Sequence, residues 1–166
     1  MQLNGLIHTF PKELKLLIAA FVIVLSIGFF SGLLFVNETS SANPNGIEEQ
    51  YLGNESDEAA EIMKFKKSDQ EMLTLAHNHI LSMSVIFFLV GLILSTTRLD
   101  KKLKLFLMIE PFASVILTFG GIYLLWKGVI WMKYIVIFSG TLMAFTFTAS
   151  ILIILFQLAQ SKSTKT

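Results

Sequence analysis

Long apolar runs broken by short polar or charged segments set the pattern of this chain, and four of them can be placed, at about 16–36, 75–94, 105–126 and 134–158. Each spans about twenty residues, which at ~1.5 Å of rise per residue reaches about 30 Å, the thickness of a bilayer's hydrocarbon layer. In lipid the backbone has to satisfy its own hydrogen bonds, and a helix does so within one segment. A membrane β-barrel would need segments of about ten residues with alternating polarity, and the chain has no such segments. The pattern therefore predicts an all-α protein, an integral membrane four-helix bundle forming one domain over residues 1–166. The apolar core of the first run exceeds the 7–15 residues of a signal-peptide core, so an uncleaved anchor is expected there.

Composition sharpens this picture. Hydrophobic residues make up 54% of the chain and charged ones only 15%, with fifteen Phe and no Cys; the mean hydropathy is +0.67. Soluble domains carry roughly a quarter charged residues. A net charge of +1 and the lack of a basic patch interleaved with aromatics argue against a nucleic-acid partner. Without cysteine there is no disulfide, iron–sulfur cluster or thiolate metal site.

Lysine and arginine predict the orientation. Eight fall on the N-terminus, the link between the second and third spans, and the C-terminus, including Lys12, Lys15, Arg98, Lys101, Lys102, Lys104, Lys162 and Lys165. Five fall on the other side, at Lys64, Lys66, Lys67, Lys127 and Lys133. The positive-inside rule then places both termini in the cytoplasm. The segment between the first two spans, residues 37–74, becomes an extracytoplasmic loop holding nine of the twelve acidic residues. Such a run is read either as a solvated face or as a cation-binding one. Within it "SSANPNG" suggests irregular turn chemistry, and Asn37-Glu38-Thr39 and Asn54-Glu55-Ser56 match the short glycosylation pattern.

The second span opens on "LTLAHNHILSM", which sets His77 and His79 near the outer edge of the hydrocarbon. Ser68 followed by Glu71 fits a capping box and predicts a helix from about Asp69 to Thr96. Residues two apart on a helix point about 200° from each other. One helix therefore cannot aim both imidazoles at one metal ion. Three readings are open. In the first, both histidines are interfacial side chains with a wet tip. In the second, an imidazole ligates haem b and its axial partner comes from a second subunit or from a methionine, Met83 or Met143. In the third, His79, Met83 and Asn78 serve a copper site or quinone and proton chemistry at the outer surface.

Glu110, in "LFLMIEPFASVIL", lies inside the third span and is followed by Pro111. A carboxylate in hydrocarbon costs at least ~2.5 kcal/mol on insertion scales, so such a residue is neutral, paired or functional. Pro111 removes a helical N–H at the same level. Glu110 is read either as a proton or cation relay or quinone contact, or as a shallow acid paired with Lys104 or Arg98. Small and hydroxylated residues mark expected helix contacts: Gly28 with Gly32, the Gly120-Gly121 pair, and the row Ser139, Met143, Thr146 and Ser150. The link "KGVIWMK" makes the last two spans an antiparallel hairpin, with Trp126 and Trp131 as interfacial anchors.

The stretch "GIEEQYLGNE…MKFKKSDQEMLTLAHNHILSMSVIFFLVGLIL" resembles small bacterial four-helix inner-membrane proteins. In these a Tyr-Leu-Gly-Asn-Glu loop and a Lys-Ser element precede a His-x-His at the mouth of the second span. The resemblance covers about residues 46–94 and carries no established activity. It implies an energy-transducing bacterial inner membrane and association with respiratory cytochromes, and directs attention to His77 and His79. No nucleophile–base pair, phosphate loop or HExxH is present, so an enzyme acting alone is not expected. The expectation is a membrane subunit in contact with lipid, a homo-oligomer or part of a membrane complex. It either binds haem b for electron transfer or serves, without a cofactor, as an accessory scaffold.

Overall fold

The computed structural model describes residues 3–41, 43–55 and 62–160. Helix α1 runs Lys12–Ser40, α2 Pro44–Leu52, α3 Asp69–Ser95, α4 Lys101–Val115, α5 Gly121–Trp126 and α6 Met132–Ala159. Between α4 and α5 lies a π-helical turn, Ile116–Gly120, and a 3-10 turn, Leu6–Thr9, precedes α1. The third span is thus α4, the π turn and α5 together. Four segments, Lys12–Ser40, Asp69–Ser95, Lys101–Trp126 and Met132–Ala159, are long and apolar enough to cross a membrane. The all-α bundle expected from the apolar runs is what forms.

Local chemistry sets the boundaries. Ser68 caps α3: its Oγ accepts the Glu71 N–H at 3.3 Å, and Glu71 Oε2 accepts the Ser68 N–H at 2.8 Å. Asp100 caps α4 by accepting the Lys102 N–H at 2.9 Å. The segment after the first span is less irregular than its turn residues suggest. Helix α1 continues to Ser40, whose successor Ser41 adopts a left-handed conformation at φ 52°. Asn43 then accepts the Gly46 N–H at 2.9 Å and Pro44 occupies the first turn, so α2 begins at once. An N-cap followed by Pro at the first helical position outweighs the turn propensity of the same residues. The first glycosylation pattern lies on the last turns of α1; Ser56 of the second lies outside the described residues, as do Asp57, Glu58, Glu61, Lys162 and Lys165.

Helix α6 is the hub, with α1, α3, α4, α5 and α2 all packed on it. Its buried residues include Val136, Ser139, Met143, Thr146, Phe147, Ser150, Ile151 and Ile154, which recur at helical spacing. Phe29 of α1 stacks on Phe147 with ring centroids 4.0 Å apart. Gly121 lets the hairpin close, because a Cβ there would stand 2.9 Å from Val136 Cγ2. Gly28 and Gly32 make no such approach within the chain: nothing lies within 4 Å of a Cβ built on either, so the close contact their spacing permits is not made to another of its own helices. A four-residue repeat of small side chains permits close packing but does not choose which way the helix faces.

The two ends of the bundle are closed differently. At one end the 3-10 turn buries Ile7 and donates the Ile7 N–H to Thr96 O at 3.1 Å, while Gln157 Oε1 accepts the Arg98 N–H at 2.7 Å. The N-terminal segment, the α3–α4 link and the end of α6 therefore share one face, as the charge pattern required. At the other end Lys133 meets Glu48 at 2.6 Å, and Trp126 Nε1 donates to Lys67 O at 2.8 Å. Trp126 is buried beneath this loop rather than standing as an interfacial anchor, whereas Trp131 is exposed as expected.

Candidate functional site

Two groups of polar side chains stand out on the spans. The first lies between the third and fourth. Along α4 and the π turn, Glu110, Ser114 and Thr118 recur every four residues and are all buried. Residues four apart share a helix face, and this face meets the Ser139–Ser150 row of α6. Thr146 Oγ1 contacts Glu110 Oε2 at 2.5 Å, Ser114 Oγ bonds Glu110 Oε1, and Thr118 Oγ1 lies 2.7 Å from Ser139 Oγ. The row read from α6 alone was thus half of the arrangement. Ser114 and Thr118 were missed, although a four-residue count forward from Glu110 finds both.

Glu110 is 9% exposed. The pairing with Lys104 or Arg98 foreseen for a shallow acid is not made. Lys104 Nζ turns instead to Thr97 O at 2.5 Å, Asn4 Oδ1 at 2.8 Å and Ser95 O at 3.2 Å, tying together the N-terminal segment and the end of α3. An ammonium is satisfied by the carbonyls that α3 leaves without helical partners, and those lie closer than the carboxyl. Helix α4 runs on through Pro111, and the irregularity appears one turn later as the π turn. Such turns open the backbone ladder and redirect side chains; here Thr118 is the polar residue it carries.

The second group is the band His77, Asn78, His79 and Ser82 on α3, all four exposed. Continuous helix through these residues keeps His77 and His79 on different faces. His79 Nδ1 lies 2.9 Å from Leu75 O, and its ring sits 4.7 Å from that of Phe119, tilted by 30°. A carbonyl can only accept, so Nδ1 is a protonated nitrogen, and it is Nε2 that carries the lone pair whenever the ring is neutral. Met83, one turn further on, is half-buried and packs against the core. It stands on the same side of α3 as His79 and cannot oppose it across a metal. His8, the remaining histidine, is at the other end of the bundle in the 3-10 turn, and Met143 is buried on α6. Among the described residues no group of three or more His, Asp or Glu is placed to hold a metal ion.

A family model described as a transmembrane helical domain matches residues 41–165. The chain belongs to this transmembrane helical domain family. The match takes in α2 to α6, and with them both polar groups, while α1 precedes it. Neither the curated proteins nor the solved structures gave a match. Membership in the transmembrane helical domain family makes the chain a small polytopic membrane protein in contact with lipid.

Proposed function

We propose that the protein is a non-catalytic subunit of the bacterial inner membrane, with both termini inside, that assembles with a second chain along α3. The observation that carries this reading is the polar band at the start of that helix. Asn78 and Ser82 line a shallow groove with Leu81, Val85 and Ile86, near the start of a span that is mostly apolar beyond them. Polar side chains on transmembrane helices hydrogen-bond across helix pairs. An Asn amide carries a donor and an acceptor together, so it is self-complementary across a two-fold axis.

The chain has no cysteine, which makes a clean test available. Asn78→Cys, treated with oxidant in native membranes, is expected to give a covalent dimer, whereas Phe145→Cys, lipid-facing on α6, gives none. A monomer in both sinks the assembly. A cysteine placed at residue 60 and labelled with an impermeant maleimide from outside checks the orientation; labelling only after lysis reverses it.

A second reading, respiratory electron transfer through haem b, is favoured by His79 alone. Its Nδ1 bond to the Leu75 carbonyl fixes the ring and leaves Nε2 available, the arrangement that orients imidazole ligands. One chain does not complete the site, because His77 diverges and Met83 lies on the wrong side. Two copies would each offer one His79, and the haem so held supplies a one-electron couple. A reduced-minus-oxidised spectrum of the purified protein tests this. An α-band lost in His79→Ala and kept in His77→Ala supports it; no band leaves the protein a cofactor-free accessory subunit that binds its partners through its helices and acidic loop.

A further inference from the structure

We infer that Glu110 is a proton-binding site built into the interface of the third and fourth spans, a carboxyl group that holds its proton inside the bundle. The inference stands apart from the assembly of α3 and from any cofactor.

Counting donors and acceptors leads to it. The Thr146 hydroxyl lies 2.5 Å from Glu110 Oε2 and 3.0 Å from the Leu142 carbonyl of its own helix, and Ser114 Oγ bonds Oε1. With a proton on Oε2, the carboxyl O–H donates to Thr146, Thr146 donates to Leu142 O, and Ser114 donates to Oε1. Every donor then has an acceptor. A buried carboxyl so placed escapes the penalty of an unsatisfied polar group.

Among the described residues, the charged groups around it leave the anion without a counter-ion. On its own helix Lys104 is taken by Asn4, Ser95 and Thr97. From α3, His79 lies against Phe119 and His77 is exposed on another face. From α6, Lys133 is held by Glu48 at the opposite end. On α1, Lys15 donates to His8 O, and Lys12 and Glu13 are exposed at the helix start. Arg98 and Asp100 stand exposed on the link. A charge buried without a partner in hydrocarbon is costly, a cost that the proposed protonated carboxyl avoids. A metal ion is a poor alternative occupant. Calcium sits 2.3–2.6 Å from each oxygen and holds its ligands apart, whereas here the hydroxyls touch the carboxyl directly.

Infrared spectroscopy of the full chain in lipid nanodiscs at neutral pH reads the proton itself. The expected result is a carboxylic-acid C=O band that moves when glutamate is labelled with ¹³C, shifts down on transfer to D₂O and disappears in Glu110→Gln. Thr146→Val should move the band to higher frequency by removing a hydrogen bond. Gln keeps the size and the hydrogen-bonding groups of the acid, and the ¹³C shift identifies a glutamic acid in the unaltered chain even if that variant does not accumulate. The absence of any acid band sensitive to ¹³C-glutamate overturns the proposal. A band that survives in Glu110→Gln, or one that never shifts in D₂O, does so equally.

Discussion

Replacing Thr146 with Val separates a membrane helix contact from a polar group that needs a partner. Thr146 is fully buried, and its hydroxyl is the partner of Glu110 Oε2 across the interface. Valine fills nearly the same volume, so packing is largely kept and the change isolates the hydroxyl. An average interhelical hydrogen bond between transmembrane helices is worth about 0.6 kcal/mol. Leaving a buried polar group, here the carboxyl O–H, without a partner adds about 1–3 kcal/mol, which gives about 2 kcal/mol for Thr146→Val. At 1.4 kcal/mol per factor of ten, the unfolding equilibrium should shift by roughly thirty-fold. Ser139→Ala is the control. It removes the 2.7 Å contact with Thr118, but a threonine hydroxyl left alone can turn to a carbonyl of its own helix. Its cost should stay near 0.6 kcal/mol. The double variant Glu110→Leu with Thr146→Val replaces both partners by apolar groups and should be more stable than Thr146→Val alone. Reversible unfolding in mixed micelles measures all three. The reasoning fails if Thr146→Val costs no more than Ser139→Ala, or if adding Glu110→Leu makes it worse.

Two further outcomes follow from the far end of the bundle. A Cβ at Gly46 would stand 1.9 Å from the backbone oxygen of Ser40, and backbone cannot give way as a side chain can. Gly46→Ala should therefore unseat α2 from the end of α1 and speed proteolysis between residues 41 and 55, while the spans stay embedded; unchanged cleavage counts against the tight corner. Burial pushes the Tyr51 phenol up to about 12 from its ordinary 10.0. The folded state thus favours the neutral phenol, and its contribution is complete below pH 10 and lost as pH rises from 10 toward 12, where the unfolded chain ionises first. Tyr51→Phe should lose less stability than the parent over that window; parallel losses would show that the phenol is not desolvated.

The spans were legible because lipid imposes a length and a composition, and both are written in every residue of a run. The cap at Ser68 was legible for a similar reason: donor and acceptor lie three residues apart, so local sequence holds the whole interaction. Glu110 was legible as a residue out of place, but its partners were not. Ser114 lies on the same helix at a countable distance, whereas Thr146 is 36 residues away, and its meeting with Glu110 depends on how the third and fourth spans rotate about their axes. That rotation follows from the summed packing around α6, including the close approach at Gly121 and the stacking of Phe29 on Phe147. The same limit explains Gly28 and Gly32, whose spacing announces a contact without saying with what. For a membrane bundle, then, a periodic polar row on one span becomes informative when a second span carries a row of matching pitch. Here Glu110, Ser114 and Thr118 meet Ser139, Met143, Thr146 and Ser150, and hydroxyls bracket the one carboxyl between them, so the pair of rows specifies both the facing sides of the helices and the place where a proton can be held.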